Sequence, residues 1–226
     1  MRSHKTALAV TAALLAVAAC GSSARDRQAG VAIQGIDGRV SIIRPGQDAN
    51  AAYSQGLDLK NKGDCAGAIL KLRPVANLGP GYENAQTALG ACLIQAGTKD
   101  KDLSADYFDG LTWLRRAADA GWPEAQGTLA IVHTFGPTAI RNSEEAAYWM
   151  VLYETNTGKS RIGFTPVATA DLAAVDKTLT AAQRAAATAR ATQWQRKVWL
   201  PPAQPQGSQA GGGRGPGGRQ QREQQL

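Results

Sequence analysis

Apolar and polar positions follow several distinct rhythms along this chain. Behind Arg2 and Lys5, the stretch Ala7 to Ala19 is apolar or small except for Thr11. It is shorter than the roughly 20 apolar residues needed to span a bilayer, and a basic start followed by a short apolar run reads as a secretory signal. Residues 21–30 (GSSARDRQAG) are small and polar and predict a flexible tether. In VAIQGIDGRVSII, Asp37-Gly38 signals a two-residue hairpin over 31–43, with Ile33 opposite Ile42 and Gly35 opposite Val40. The alternative is an extended linker. Residues 49–156 change to Ala- and Leu-rich helical spacing, broken by Gly and Asp. Residues 157–168 predict a loop. Over 169–199, Leu172, Val175, Leu179, Ala182, Ala186 and Ala189 form one stripe and predict a single long helix.

Within 49–156 the pattern recurs. Ala85-Gln86-x-x-Leu89-Gly90 returns as Ala125-Gln126-x-x-Leu129-Ala130, and Ala51-x-x-x-Gln55-Gly56 is a weaker copy. Interleaved with these is a second element, clearest in Trp113 to Gly121 (WLRRAADAG), with an earlier copy at Lys71 to Gly79 and a later one starting EAAYW at Glu145. Each unit is therefore two helices and a glycine-rich turn. Gly79 and Gly121 stand where a helix ends in a left-handed residue, and Pro80 and Pro123 follow where a new segment begins. Asn142 is an N-cap with acids in the turn behind it. Pro74 should kink or shorten its helix.

These motifs, WLRRAADAGWPEAQGTLA at 113–130, EAAYWM at 145–150 and NAQTALG at 84–90, resemble the Sel-one-like repeat, a relative of the tetratricopeptide repeat. The resemblance covers roughly half the chain. Its signature positions here are Ala85, Leu89, Gly90, Trp113, Ala117, Ala118, Gly121, Ala125, Leu129, Ala146 and Trp149. It implies an all-α fold: an α/α superhelical solenoid of helix pairs over 49–156, a role in protein interaction, and no catalytic residues. The family's tyrosine after Leu-Gly is missing, and TKDKDLSAD departs from its tight loop, which predicts an insertion between Gly97 and Asp106. The 169–199 helix then either caps the last repeat, as solenoids require, or stands free for a partner; capping is the favoured reading. Residues 200–226 (LPPAQPQGSQAGGGRGPGGRQQREQQL) lack the apolar residues to bury a core and predict a disordered tail.

Val17-Ala18-Ala19-Cys20, followed by Gly21-Ser22-Ser23, resembles the bacterial lipobox. The resemblance implies removal of residues 1–19, lipid on Cys20, and, with Gly21 rather than Asp next in line, passage to the outer membrane at its periplasmic face. The plainer reading is a secreted chain with an incidental cysteine. Two or three acyl chains anchor stably, since each buried CH₂ contributes about 0.8 kcal/mol. Losing Arg2 and Lys5 takes the formal charge from +7 to +5, which is mildly basic and no nucleic-acid signature. The tether then covers 20–48. Cys65 and Cys92 remain, in a compartment that permits a disulfide. Counted from the turn at Gly79-Pro80, their axial positions on antiparallel helices differ by about 3 Å. A bridge is the expectation, two buried thiols being the alternative.

The chain carries little recognisable chemistry. There is no G-x-S-x-G, S-x-x-K, H-E-x-x-H, phosphate loop or dinucleotide fingerprint. Once His4 leaves with the signal, His133 is the only histidine, and one histidine with two cysteines is no zinc pattern. Asp100, Asp102, Asp106 and Asp109 do not match a calcium loop and sit among Lys99 and Lys101. No cofactor, metal or catalytic residue is expected. Arg115, Arg116, Trp122 and Tyr148 are the candidate contacts for an unidentified protein or peptide partner, with the membrane reached through lipid and weak contact with anionic envelope polymers through the basic helix and tail. The leading expectation is a non-enzymatic scaffold. A structural lipoprotein associated with the envelope or peptidoglycan comes second. A penicillin-binding or penicillin-hydrolysing enzyme, an activity known among cysteine-rich members of the family, comes third.

Overall fold

A computed structural model describes residues 31–34, 40–43, 46–98 and 103–202. The signal, Cys20, the tether before Val31 and the tail beyond Pro202 lie outside the described residues. Two strands, β1 (Val31–Gln34) and β2 (Val40–Ile43), precede eight helices: α1 (Gln47–Asn61), α2 (Cys65–Ala76), α3 (Glu83–Gly97), α4 (Ala105–Asp119), α5 (Pro123–Phe135), α6 (Ser143–Thr155), α7 (Thr169–Thr178) and α8 (Ala181–Ala191). The fold is all-α apart from the ribbon. No helix among the described residues is long and apolar enough to cross a membrane.

The ribbon is antiparallel, but its register is one residue from the expected one. Ala32 faces Ile42 and Gln34 faces Val40. Five residues therefore separate the last pair, where a two-residue Asp37-Gly38 turn leaves an even number. The observed register sets Val31 opposite Ile43. β1 lies beside α2, which supplies the support that an isolated hairpin lacks.

From α1 to α6 each helix packs chiefly on the helix before it and the one after it. Neighbours run antiparallel. Cys65, at the start of α2, meets Cys92 in α3, while Ala76, at its end, meets Gln86 near the start of α3. Close approach depends on small residues. Gly90 and Gly110 face one another between α3 and α4, and a Cβ on either would come within 2.8 Å of the other's carbonyl oxygen. Leu72, Leu89, Leu93 and Trp113 fill the space among α1 to α4. Leu114, Leu129, Trp149 and Val175 fill the space beyond.

Helix ends follow the sequence closely. After α4, the Trp122 amide donates to Ala117 O and the Gly121 amide to Ala118 O. This is the paired closure that needs a left-handed residue, and Gly121 supplies it with φ +80°. Pro123 opens α5 two residues later. Asn142 Oδ1 accepts from the Glu144 and Glu145 amides at 3.0 Å each. Pro74 sits in the last turn of α2, which stops at Ala76.

The expected single helix over 169–199 is not one helix. It breaks at Leu179, and Thr180 starts α8 with a reciprocal cap: its hydroxyl accepts from the Gln183 amide while the Gln183 side chain accepts from the Thr180 amide. The stripe of small residues continued across the break and hid it, although Thr-x-x-Gln is itself a start signal. The two helices are not free: α7 packs on α5 and α6, and α8 packs on α6. Helix ends at Ala191, and residues 194–202 run without regular structure.

That final stretch is a strap across the ends of earlier helices. Trp194 lies on Gly121, where a Cβ would come within 3.2 Å of the indole. Arg196 Nε donates to Ala120 O at 2.8 Å, and the Lys197 amide donates to Asp119 O at 2.8 Å. Trp199 meets Trp113 edge-on at 5.4 Å between ring centroids, with the Arg116 guanidinium 4.5 and 4.3 Å from the two rings. Pro201 lies on Gly79. Both turn glycines thus serve twice, for their positive φ and for the room they leave the strap.

Candidate interaction surface

The signature residues of the sequence motif are structural. Ala85, Leu89, Ala117, Ala118, Ala125, Leu129, Ala146 and Trp149 are buried almost completely, and Trp113 nearly so. Gln86 and Gln126, which follow Ala85 and Ala125, are also buried, and they do equivalent work. Gln86 Nε2 donates to Ala76 O at 3.2 Å, and Gln126 Nε2 donates to Ala118 O at 3.2 Å. Each side chain ties the start of a helix to the carbonyl end of the one before it, adding a second bond to a carbonyl that also accepts the amide of the turn glycine, Gly79 or Gly121.

The four residues expected as exposed contacts do not form one exposed surface. Trp122 and Tyr148 are buried, with 5% and 8% of their surface accessible. Apolar area explains this correction: both rings gain more by joining the α4–α6 core than by facing water. Arg115 is exposed, and Arg116 is half-buried between Trp113 and Trp199. Burial lowers the Arg116 pKa, while Asp109 opposes that shift. Arg115 and Arg116 do share a cleft of about 330 Å³ with Leu111, Asp119, Leu129 and His133.

Beside this cleft, Glu145 is a hub that the sequence reading missed. Its carboxylate accepts from Arg190 NH1 at 2.6 Å, from Trp149 Nε1 at 3.1 Å and from Arg115 NH1 at 3.4 Å. Burial pushes its pKa up, but the Arg190 hydrogen bond and charge, with Arg115 and His133, more than offset this and hold it below the usual glutamate value. Arg190 also lies over the Tyr148 ring at 3.7 Å, and Arg115 lies 5.1 Å from the Trp149 ring centroid. Burial raises the Tyr148 pKa. Asp119, 3.8 Å from Arg115, is raised mainly by burial and lowered in part by Arg115 and Lys197. The pairing of Glu145 with Trp149 is an ordinary i,i+4 contact and was readable; Arg190 is 45 positions away and gave no local signal.

His133 has a structural partner. Its Nδ1 lies 3.1 Å from Ile140 O, so a neutral ring carries its proton on Nδ1 to make this bond. Among the described residues no group of three His, Cys, Asp or Glu side chains is placed to hold a metal ion. Of the acidic insertion, Lys99 to Asp102 lie outside the described residues; Asp109 pairs with Arg73 at 2.8 Å.

Cys65 and Cys92 do meet. Their sulfurs are 2.7 Å apart in the core between α2 and α3. As a thiol Cys92 is unreactive: burial, with Cys65 adding to it, pushes it up to about 12.

No protein-family model, curated protein or solved structure matches this chain.

Proposed function

We propose that this chain is a lipoprotein held by lipid on Cys20 at the periplasmic face of a bacterial membrane, and that it serves there as a non-enzymatic scaffold for a protein or peptide partner. In this reading α1 to α6 are Sel-one-like helix pairs forming a short solenoid, and α7 and α8 cap it. The observation that carries the reading is the equivalence of Gln86 and Gln126. Two residues in matching positions of two sequence copies make the same side-chain bond to the preceding helix end. Neighbour-on-neighbour packing from α1 to α6 supports it further, since stacked repeats contact chiefly their neighbours. The partner surface is the cleft of Arg115 and Arg116 with its Glu145–Arg190 rim. Solvent-facing guanidiniums over aromatic rings suit acidic or carbonyl-rich segments.

A photo-crosslinking residue at Thr112, which lines this cleft, tests the reading in cells expressing the full chain. One discrete adduct, lost on Arg115→Glu, is expected. A diffuse ladder of abundant envelope proteins, unchanged by that substitution, would overturn it.

A further inference from the structure

Beside the strap lies a second cavity, of about 430 Å³, that shares no lining residue with the Arg116 cleft. Its floor is rigid. Asn156 Nδ2 donates to Gln126 Oε1 at 2.7 Å and to Gly121 O at 3.2 Å, and Asn156 Oδ1 accepts from the Gly158 amide at 2.7 Å. Leu152, Ala191 and Trp194 give it an apolar wall. Among the described residues its only charged lining side chains are Arg161, from the loop after the 3-10 turn Thr157–Ser160, and Arg196, from the strap, and no carboxylate lines it.

The carbonyl ends of α4, α6 and α8 all reach this cavity, and their negative poles account for some basic character around it. Five carbonyls at these ends are already used. Ala118 O is taken by Gln126, Ala120 O by Arg196 Nε, Gly121 O by Asn156, Glu154 O by Lys159, and Ala191 O by the Trp194 amide. The arginines retain unspent donors. Among the described residues Arg161 has no carboxylate partner; its guanidinium lies 5.5 Å from the Trp122 ring centroid. Arg196 reaches Glu83 only at 3.7 Å. Trp194 Nε1, sheltered from water, has no acceptor.

We infer that this cavity is a binding site for a small organic oxyanion, a carboxylate or phosphate carried on a short apolar body. The two guanidiniums, one on each side, take the anion, the volume falls within the range of small-molecule sites, and Leu152, Ala191 and Trp194 receive the body. Because Arg196 and Trp194 belong to the strap, occupancy also fastens the strap to the loop after α6. This site is separate from the scaffold cleft, and neither its success nor its failure bears on that reading.

Isothermal titration of the mature chain is the test, with N-acetyl-dialanine, its C-terminal amide and inorganic phosphate as probes. Saturable binding of the acid, of phosphate or of both is expected, weakening with added salt, with none for the amide. Which anion binds tells a carboxylate ligand from a phosphate one. Arg161→Gln should weaken it by at least about tenfold, the loss of a hydrogen bond to a charged group. Arg161→Lys should restore part of that loss. Among the described residues the Arg161 side chain makes no hydrogen bond, only a contact 5.5 Å from the Trp122 ring centroid, so the unfolding midpoint of these variants should stay close to the wild-type value. Arg196→Gln should weaken binding as well. Absence of saturable binding of either anion up to about 1 mM, amide binding equal to acid, or affinities unchanged in Arg161→Gln would each overturn the proposal.

Discussion

Gly90 and Glu145 show how single residues set the packing and the charge of this molecule. A side chain at Gly90 has nowhere to go, because a Cβ there meets Gly110 O and Leu114 Cγ at 2.8 Å. Gly90→Val should lower stability by at least the roughly 1–3 kcal/mol typical of overpacking, read as a fall in the urea midpoint with little change in slope. Gly90 was marked by the sequence motif, but its partner Gly110 was not, since nothing local says which helix will face it. Glu145 makes a pH prediction. Its folded pKa is depressed, so its contribution to stability is complete above the ordinary glutamate value and is lost as the pH falls through the folded one. Asp119 and Glu124, raised mainly by burial, act in the opposite sense. The difference between wild type and Glu145→Gln isolates the hub: the gap in urea midpoint should be widest near neutral pH and should close below the usual glutamate range. A gap that does not change with pH would contradict the assignment.

Helices and their joints were read unevenly. Caps and stops were legible because they are local: Asn142, Gly121 and Pro123 each act within a turn of their own position. The break at Leu179–Thr180 and the strap beyond Ala191 were not foreseen. A stripe of Ala and Leu keeps helical spacing whether or not the backbone does, and the strap is held by residues 76 positions away, as Arg196 is by Ala120. The ribbon slipped by one residue for a related reason: Asp-Gly favours a two-residue turn, yet pairing along the strands decides the register. The α2–α3 joint carries the next prediction. In an oxidising compartment Cys65 and Cys92 should be bridged, and reduction should cost about 2–4 kcal/mol. Because a native thiol at Cys92 would resist alkylation, the check is alkylation in denaturant without reductant, followed by intact mass. An unmodified pair, which alkylates only after reduction, is expected; two adducts would refute the bridge.

At the scale of the whole molecule, the strap links the first half of the helical array to the second. It runs from α8, past the ends of α4, to the turn after α2, and Trp199 inserts the Arg116 guanidinium between two indoles. Trp199→Ala should destabilise by about 1–3 kcal/mol, less than a fully buried tryptophan would. It should also shift the fluorescence of Trp113 to longer wavelength as water reaches it; an unshifted spectrum would mean the strap does not depend on this contact. The position of that body in the cell rests on a residue outside the described fold. If Cys20 is the acylated N-terminus, the scaffold is tethered, its cysteines see an oxidising medium and its partners are envelope components. Mass spectrometry of the N-terminal peptide from the full chain made in bacteria measures this directly. The expected peptide begins at Cys20 and carries the added mass of a diacylglyceryl group, with Cys20→Ala leaving the signal uncleaved. A peptide that begins elsewhere, or begins at Cys20 without lipid, would contradict this anchoring.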